Sequence, residues 1–395
     1  MVDFNIVEFK KDSLIFVAGE KARDIFYIIK EGSVIDKNYV VDNTNFEFVV
    51  GDIIGMVSAV LAEPYYSTMI AATDVQLIEI HAKDIYNIED EKIIENIYKY
   101  LIKFMEIWLG KYFYKLSEAL NIGSYKENNA LEIAKTYEEH AFYPASLYMY
   151  KKIIEMFPNE DHTEINERIS AIEKNNNIEP PLEISTNLYE YKAGSCIFSE
   201  LENNTDVYLI KEGKVGVYSV FNGKLISRII FLKGNLIGYK PILGNKHLLT
   251  TCIVLEDTIL QVVGKDDFIR LAYSNKKLQY YLINVMTRRI YNTVIKSYTI
   301  SIKSVVGKFY SIVYSFTKTE LLFEKNTDFL ELPYTVYDIC AMVGIEDVDY
   351  IKSEMKKTNV ILFSRQGRII IPSIENFFKE YEMYRKRNST ANIFI

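Results

Sequence analysis

Between positions 352 and 387 the chain carries nine basic residues (Lys352, Lys356, Lys357, Arg365, Arg368, Lys379, Arg385, Lys386 and Arg387) against four acidic ones (Glu354, Glu375, Glu380 and Glu382), a local balance of +5. Such a patch can neutralise backbone phosphates of a nucleic acid; a solvated helix face reads the same way. The chain as a whole is acidic, with a net charge of −7, so contact with a polyanion would be local rather than a general coating. Just ahead of the patch stand Glu346, Asp347 and Asp349. Carboxylates there repel phosphates, and they also suit a helix N-terminus, where the macrodipole is positive. Catalytic chemistry has no comparable foothold. His81, His140, His162 and His247 form no ligand-spaced pair with one another or with a cysteine, so no metal site is expected. There is no Walker-type loop, G-x-S-x-G elbow or H-E-x-x-H motif, and the expectation is a protein that is not an enzyme. Cys196, Cys252 and Cys340 are far apart and odd in number. They read as buried structural thiols of a cytoplasmic protein.

The elements that would position these residues contain a long internal repeat. Leu14-Ile-Phe-Val-Ala-Gly-Glu20 is followed by Asp24-Ile-Phe-Tyr-Ile-Ile-Lys-Glu-Gly32, by Gly51-Asp-Ile-Ile-Gly55, and by Thr68-Met-Ile-Ala-Ala-Thr-Asp74. The same order returns as Ser195-Cys-Ile-Phe198, Asp206-Val-Tyr-Leu-Ile-Lys-Glu-Gly213, Gly234-Asn-Leu-Ile-Gly238 and Thr251-Cys-Ile-Val-Leu-Glu-Asp257. Short alternating runs broken by Gly and Asn turns describe antiparallel strands. Two matched sets predict two jelly-roll-type β-barrels in an α+β chain.

Each barrel leads into apolar residues at helical spacing. The first stretch, about 88–120, has Ile93, Ile94, Ile97, Leu101, Phe104 and Trp108; the second, about 266–301, has Phe268, Leu271, Leu278, Leu282, Val285, Ile290 and Val294. One barrel cannot cover such a stripe, which predicts a homodimer through these long helices. Tyr98 to Tyr114 is interrupted by Lys99, Lys103, Glu106 and Lys111, so it reads as an interface helix; no membrane segment and no secretory signal are expected. Between the barrels, Ala134, Glu138, Tyr143, Ala145, Tyr148, Ile154 and Pro158 resemble a single tetratricopeptide-type helical hairpin, with small alanines where two helices cross. Such a hairpin cannot bury its own face, so it is either a docked spacer or a site for a protein partner. The polar run from Glu173 to Pro181 is the best linker. The expected domains are 1–120, 121–180, 181–301 and 302–395.

This order of landmarks resembles the catabolite-activator/Fnr (Crp/Fnr) family of transcriptional regulators, in which a cyclic-nucleotide-binding domain is followed by a long dimer helix and a winged helix-turn-helix. The resemblance implies a phosphate cassette in each copy: Gly55, Met56, Tyr65, Ser67 and Thr68 in the first, and Gly238, Tyr239, Lys246, His247, Thr250 and Thr251 in the second. The family's Glu is replaced by Met56 and Tyr239, and its Arg by Tyr65 and Leu248. Losing the charge-assisted bond to phosphate forfeits roughly 1.5–3 kcal/mol, so cyclic-nucleotide binding in the family's mode is not expected of either copy. No cofactor is fixed: a cyclic mononucleotide, a cyclic dinucleotide, another small anion at Lys246 and His247, or a scaffold without ligand all remain open. Residues 302–395 resemble the winged helix, with Leu330 to Gly344 as strand, first helix and turn. In this match Ala341 sits at the helix contact, Gly344 takes the positive φ, Ile345 to Thr358 forms the second helix, and Gln366-Gly367 turns the wing. The match implies double-stranded DNA as partner, through Tyr350, Lys352, Ser353, Lys356, Lys357, Arg365 and Arg368. The other reading is a protein-interaction scaffold that keeps the regulator's fold without nucleotide or DNA.

Overall fold

A computed structural model describes residues 5–37, 46–119, 130–176, 178–200, 202, 206–221, 223–244, 250–321 and 327–388. The chain divides into two compact units, one of Met1–Asn121 with Leu271–Ile395, the other of Ile122–Arg270.

The first unit opens with β1 (Asn5–Phe9), β2 (Leu14–Phe16), β3 (Ile25–Glu31), β4 (Val34–Lys37), β5 (Phe46–Phe48), β6 (Ile53–Ile54), a short helix α1 (Met56–Leu61), β7 (Thr68–Ala71) and β8 (Val75–His81). These make two four-stranded antiparallel sheets, β1-β8-β3-β6 and β2-β7-β4-β5. Phe16 of one sheet stacks on Tyr27 of the other, with ring centroids 5.5 Å apart. The expected jelly-roll-type unit is thus a two-sheet sandwich, its core built by buried Phe16, Phe26, Ile29, Val34, Phe48 and Leu77. After a 3-10 turn comes α2 (Glu91–Ala119).

The second unit begins with three helices rather than a hairpin alone: α3 (Ala130–Glu139), α4 (Tyr143–Met156) and α5 (Thr163–Asn175). Ala134 and Ala145 are fully buried, and Ser146 Oγ donates to the Ala134 carbonyl at 2.9 Å. Glu138 joins the third helix, accepting from Arg168 at 2.9 Å and from the Tyr150 hydroxyl at 2.7 Å. The strands follow as β9 (Leu182–Ser185), β10 (Leu188–Tyr191), β11 (Cys196–Phe198), β12 (Asp206–Phe221), β13 (Lys224–Leu232) and β14 (Leu236–Ile237), then α6 (Tyr239–Gly244), β15 (Thr251–Gly264) and α7 (Lys265–Ser274). They form one seven-stranded sheet, β13-β12-β15-β10-β9, with β11 on β15 and β14 on β12. The ladder between β12 and β15 slips around Gly213, so one long strand bends where the first copy has two strands, separated at Gly32. Ile133, Tyr137 and Tyr150 of the insert share a core with Cys196, Tyr218, Val220 and Ile253. The face that a lone hairpin cannot bury is thus covered by the sandwich beside it.

The chain ends with α8 (Lys276–Ile300), α9 (Val305–Glu320), β16 (Leu330–Thr335), α10 (Val336–Met342), α11 (Val348–Thr358), β17 (Leu362–Phe363), β18 (Arg368–Ile371) and α12 (Ile374–Asn388). The strands pair as β16-β18-β17. The helix starts are written in the sequence: Asn275, Ser304 and Asp347 cap α8, α9 and α11, and Thr335 with Asp338 forms a capping box on α10. The expected helix 266–301 is therefore two helices, broken at the Asn275 cap.

α2 and α8 pack against each other within one chain. Trp108 of α2 lies 6.2 Å from Tyr298 of α8, ring to ring. From Leu282 to Ile300 no residue is exposed, and on α2 only Tyr114 among the large apolar residues is exposed. Burying a Leu or Ile of such a stripe contributes about 1.5–3 kcal/mol. The stripes that suggest a homodimer are covered within the chain, α2 packing on α8 and α8 also packing on α1 and α9. All three cysteines are buried and none forms a disulfide. Among the described residues no helix is long and apolar enough to cross a membrane, and no group of His, Cys, Asp and Glu could hold a metal ion.

Candidate functional site

In the first cassette Gly55 caps α1 with φ of 79°. A Cβ at Gly55 would meet the ring of Phe16, so the glycine admits an aromatic side chain where the resemblance leaves room for a ligand. Met56 and Tyr65 are buried. Tyr65 stacks on Phe16 at 4.3 Å, and its hydroxyl accepts from the Arg23 backbone N–H at 3.0 Å. The Arg23 guanidinium lies 5.4 Å from the Phe16 ring centroid and donates to the Ile15 carbonyl at 3.1 Å. Ser67 is buried and Thr68 Oγ1 accepts from Ala18 N at 3.1 Å. Phe16 thus packs against both Gly55 and Tyr65 in this loop.

Four residues absent from the expectation, Glu63, Arg288, Tyr291 and Tyr298, hold this loop in place. Glu63 and Arg288 of α8 form a buried ion pair at 3.0 Å, with side-chain exposures of 8% and 6%. Tyr298 Oη donates to the Tyr66 carbonyl at 2.6 Å, and Tyr291 Oη to the Pro64 carbonyl at 3.4 Å. The signal available in sequence was Arg288 on the buried face of α8, since a buried charge requires a partner.

In the second cassette Tyr239 is buried and its ring lies 6.4 Å from Phe268. Thr251 Oγ1 accepts from Glu200 N at 3.1 Å, the counterpart of the Thr68–Ala18 bond. Glu200, missed in the sequence, is itself buried and accepts from Val220 N at 3.0 Å. Burial pushes its carboxyl up to about 8, while the Val220 N–H and Arg228 oppose the shift. Lys246 and His247 lie outside the described residues; Thr250 is half-buried. An open cavity of about 460 Å³ lies in this unit, lined by Pro144, Leu147, Tyr148, Lys151, Asn176 and Ser195 among others; none of its described lining residues belongs to the cassette.

In the C-terminal module Gly344 has φ of 67° and Gly367 78°, matching the two expected turns. Ile351 and Met355 are the buried face of α11, with Val348 half-buried. Two details differ from the expectation. Ala341 is exposed, because Ile339, Cys340 and Met342 supply the helix contact. α11 begins at Val348, and Asp347 is its cap, accepting from Tyr350 N at 2.9 Å. One of the three carboxylates thus has a structural task. Asp349 is exposed beside Lys352 at 3.7 Å. Lys352 also donates to Tyr337 Oη at 2.8 Å and sits 4.5 Å from that ring. Tyr350, Ser353, Lys356, Lys357 and Arg365 are exposed, with Lys357 paired to Glu354; Arg368 is half-buried beside Glu331 at 3.5 Å. The module is tied to both long helices: Tyr112 Oη donates to the Met342 carbonyl at 2.8 Å, and Asn292 bonds Ser315 and Thr319, each at 2.6 Å.

A profile of the cyclic nucleotide-binding domain matches residues 6–92 and again residues 188–275, so the chain carries this domain twice. No curated protein matches the chain. Among solved structures, FixK2 from Bradyrhizobium japonicum is 15% identical, with a TM-score of 0.38, over 51% of this chain and 97% of that one. TTHA1359, a transcriptional regulator of the CRP/FNR family from Thermus thermophilus, is 14% identical, with a TM-score of 0.36, over 49% of this chain and 98% of its own. The regulatory domain of Toxoplasma gondii PKA, crystallised with cAMP, is 14% identical, with a TM-score of 0.22, over 71% and 85%. The resembling folds belong to regulators and regulatory subunits.

Proposed function

We propose that this chain is a Crp/Fnr-like transcriptional regulator whose C-terminal winged helix binds double-stranded DNA, and whose first cyclic nucleotide-binding domain is a scaffold rather than a nucleotide sensor. The observation that carries the DNA reading is the joint exposure of Tyr350, Ser353, Lys356, Lys357 and Arg365 on α11 and the following β17–β18 turn. A second helix and its wing are the elements that meet the groove and the flanking phosphates in this module class. Basic residues in the last turn of α11, with carboxylates at its start, favour phosphate contacts over base reading at that end. The scaffold reading rests on the packed cluster of Phe16, Met56 and Tyr65, which takes the space and the charge position a cyclic phosphate requires. A nucleotide-like anion, where one binds, falls to the second domain through Lys246 and His247.

A gel-shift titration across salt concentrations tests the first claim. Binding should weaken steeply with salt, and Lys356→Gln, Lys357→Gln and Arg365→Gln together should lower affinity by about tenfold or more at low salt while reducing the salt slope. Absence of DNA binding at low salt would favour the protein-interaction scaffold, the reading supported by exposed Glu346 and Asp349. Isothermal titration with cAMP should show no micromolar binding, and such binding would overturn the scaffold assignment.

A further inference from the structure

Helix-turn-helix regulators that pair through long helices present two reading modules, and their operators carry two half-sites about 10 base pairs apart. In this chain the helix pair is already complete. α2 and α8 cover each other, and no residue of α8 from Leu282 to Ile300 is exposed to receive a second copy. Both helices of the pair hold the same C-terminal module. α2 reaches it through Tyr112 and the Met342 carbonyl at 2.8 Å, and α8 through Asn292 to Ser315 and Thr319, each at 2.6 Å. The pair therefore serves one module, and the described residues hold one such module.

From this we infer that the chain acts on DNA as a single protomer, and that its partner is an asymmetric duplex site of one half-site rather than an inverted repeat. This rests on the DNA-binding reading proposed above. The covered helix pair takes the place of a dimer seam, so α11 and the β17–β18 turn engage one major groove and its flanking phosphates within one helical turn. No second module is delivered to the next turn.

The test selects bound sequences from a random duplex pool with the full chain, then measures stoichiometry by sedimentation on the selected duplex. The expected result is a motif without inverted symmetry and one chain per duplex. Adding an inverted second copy of the motif about one turn away should change the affinity of the first binding event by about twofold, the statistical factor for two independent sites. A linked second module would instead raise it by about a hundredfold or more through effective concentration. A palindromic motif bound by two chains, with that gain, would overturn the inference and leave DNA binding intact. Failure to enrich any sequence, with no salt-sensitive binding, would overturn the DNA reading and this inference with it. Free protein sedimenting as a dimer would overturn the covered-seam argument independently of DNA.

Discussion

Lys10 pairs with Asp74 at 2.8 Å in the first domain, and Lys11 N donates to the same carboxylate at 2.9 Å. In the second domain Lys192 pairs with Asp257 at 2.9 Å, and Ala193 N donates to it at 3.0 Å. Gly51 N reaches the Ile29 carbonyl at 2.8 Å, and Gly234 N the Ile210 carbonyl at the same distance. Gly32 and Gly213 both take positive φ against the backbone of those aspartates, where a Cβ would collide. These clasp and turn bonds thus recur in both copies, although Lys192 also pairs with Glu190 at 2.6 Å. The cassettes differ: one is filled by Tyr65 on Phe16 and held by Arg288, while the other places a buried Glu200 where the first has Ala18. A shared frame with unlike contents teaches that the turns specify the fold and leave the pocket free to change chemistry.

The largest effect should come from breaking the Glu63–Arg288 pair of the first cassette. Arg288→Ala leaves Glu63 charged, buried and unpaired, which costs about 3–5 kcal/mol. The double variant Glu63→Gln with Arg288→Met should cost much less, since a buried pair roughly offsets its own desolvation. Denaturant unfolding of both variants measures this. A single variant no worse than the double would show that the pair does not hold the loop.

Glu200 sharpens the comparison from the other side. Its folded carboxyl sits at about 8 because burial disfavours the charge, against about 4.3 when unfolded. A raised folded value means the stabilisation is complete below the unfolded value and is lost as pH rises through about 8. Stability should therefore fall between about pH 5 and 8, and Glu200→Gln, which can still accept from Val220 N, should flatten that slope by roughly 2–4 kcal/mol. Thermal unfolding at several pH values reads it out; an unchanged slope would remove Glu200 from the account.

The repeat, the helix caps and the turn glycines were legible because each is a local demand: Asn275, Ser304 and Thr335 start helices whatever surrounds them, and Gly344 and Gly367 take φ values that few side chains tolerate. The depleted cassettes were legible as substitutions at Met56 and Tyr65. What could not be read was which surface answers which. An apolar stripe on α2 states that it needs a cover, and says nothing of whether the cover is a second copy or α8. Glu63 and Arg288 are remote in sequence, and their pairing follows from the packing of α1 and the loop after it on α8. Ala341 was misplaced because a small residue fits a close crossing, while the adjacent Cys340 and Met342 bring more apolar surface to it.

The smallest effect tests the shared frame itself. In both clasps the aspartate carboxyl lies below its ordinary value, first through the hydrogen bond from Lys10 or Lys192 and then through a backbone N–H. A depressed folded value gives stability that is present above the unfolded value and lost as pH falls through the folded one. Both clasps are open to solvent, so each contribution is screened and small beside the two effects above. Asp74→Asn and Asp257→Asn should therefore lower the midpoint of thermal unfolding slightly, by equal amounts, at neutral pH, and by nothing measurable in acid below about pH 3. Equality is the informative part, since the two residues share no neighbours and match only through the repeat. If Asp257→Asn cost far more than Asp74→Asn, the second clasp would be holding structure that its twin does not, and the equivalence of the two clasps would fail.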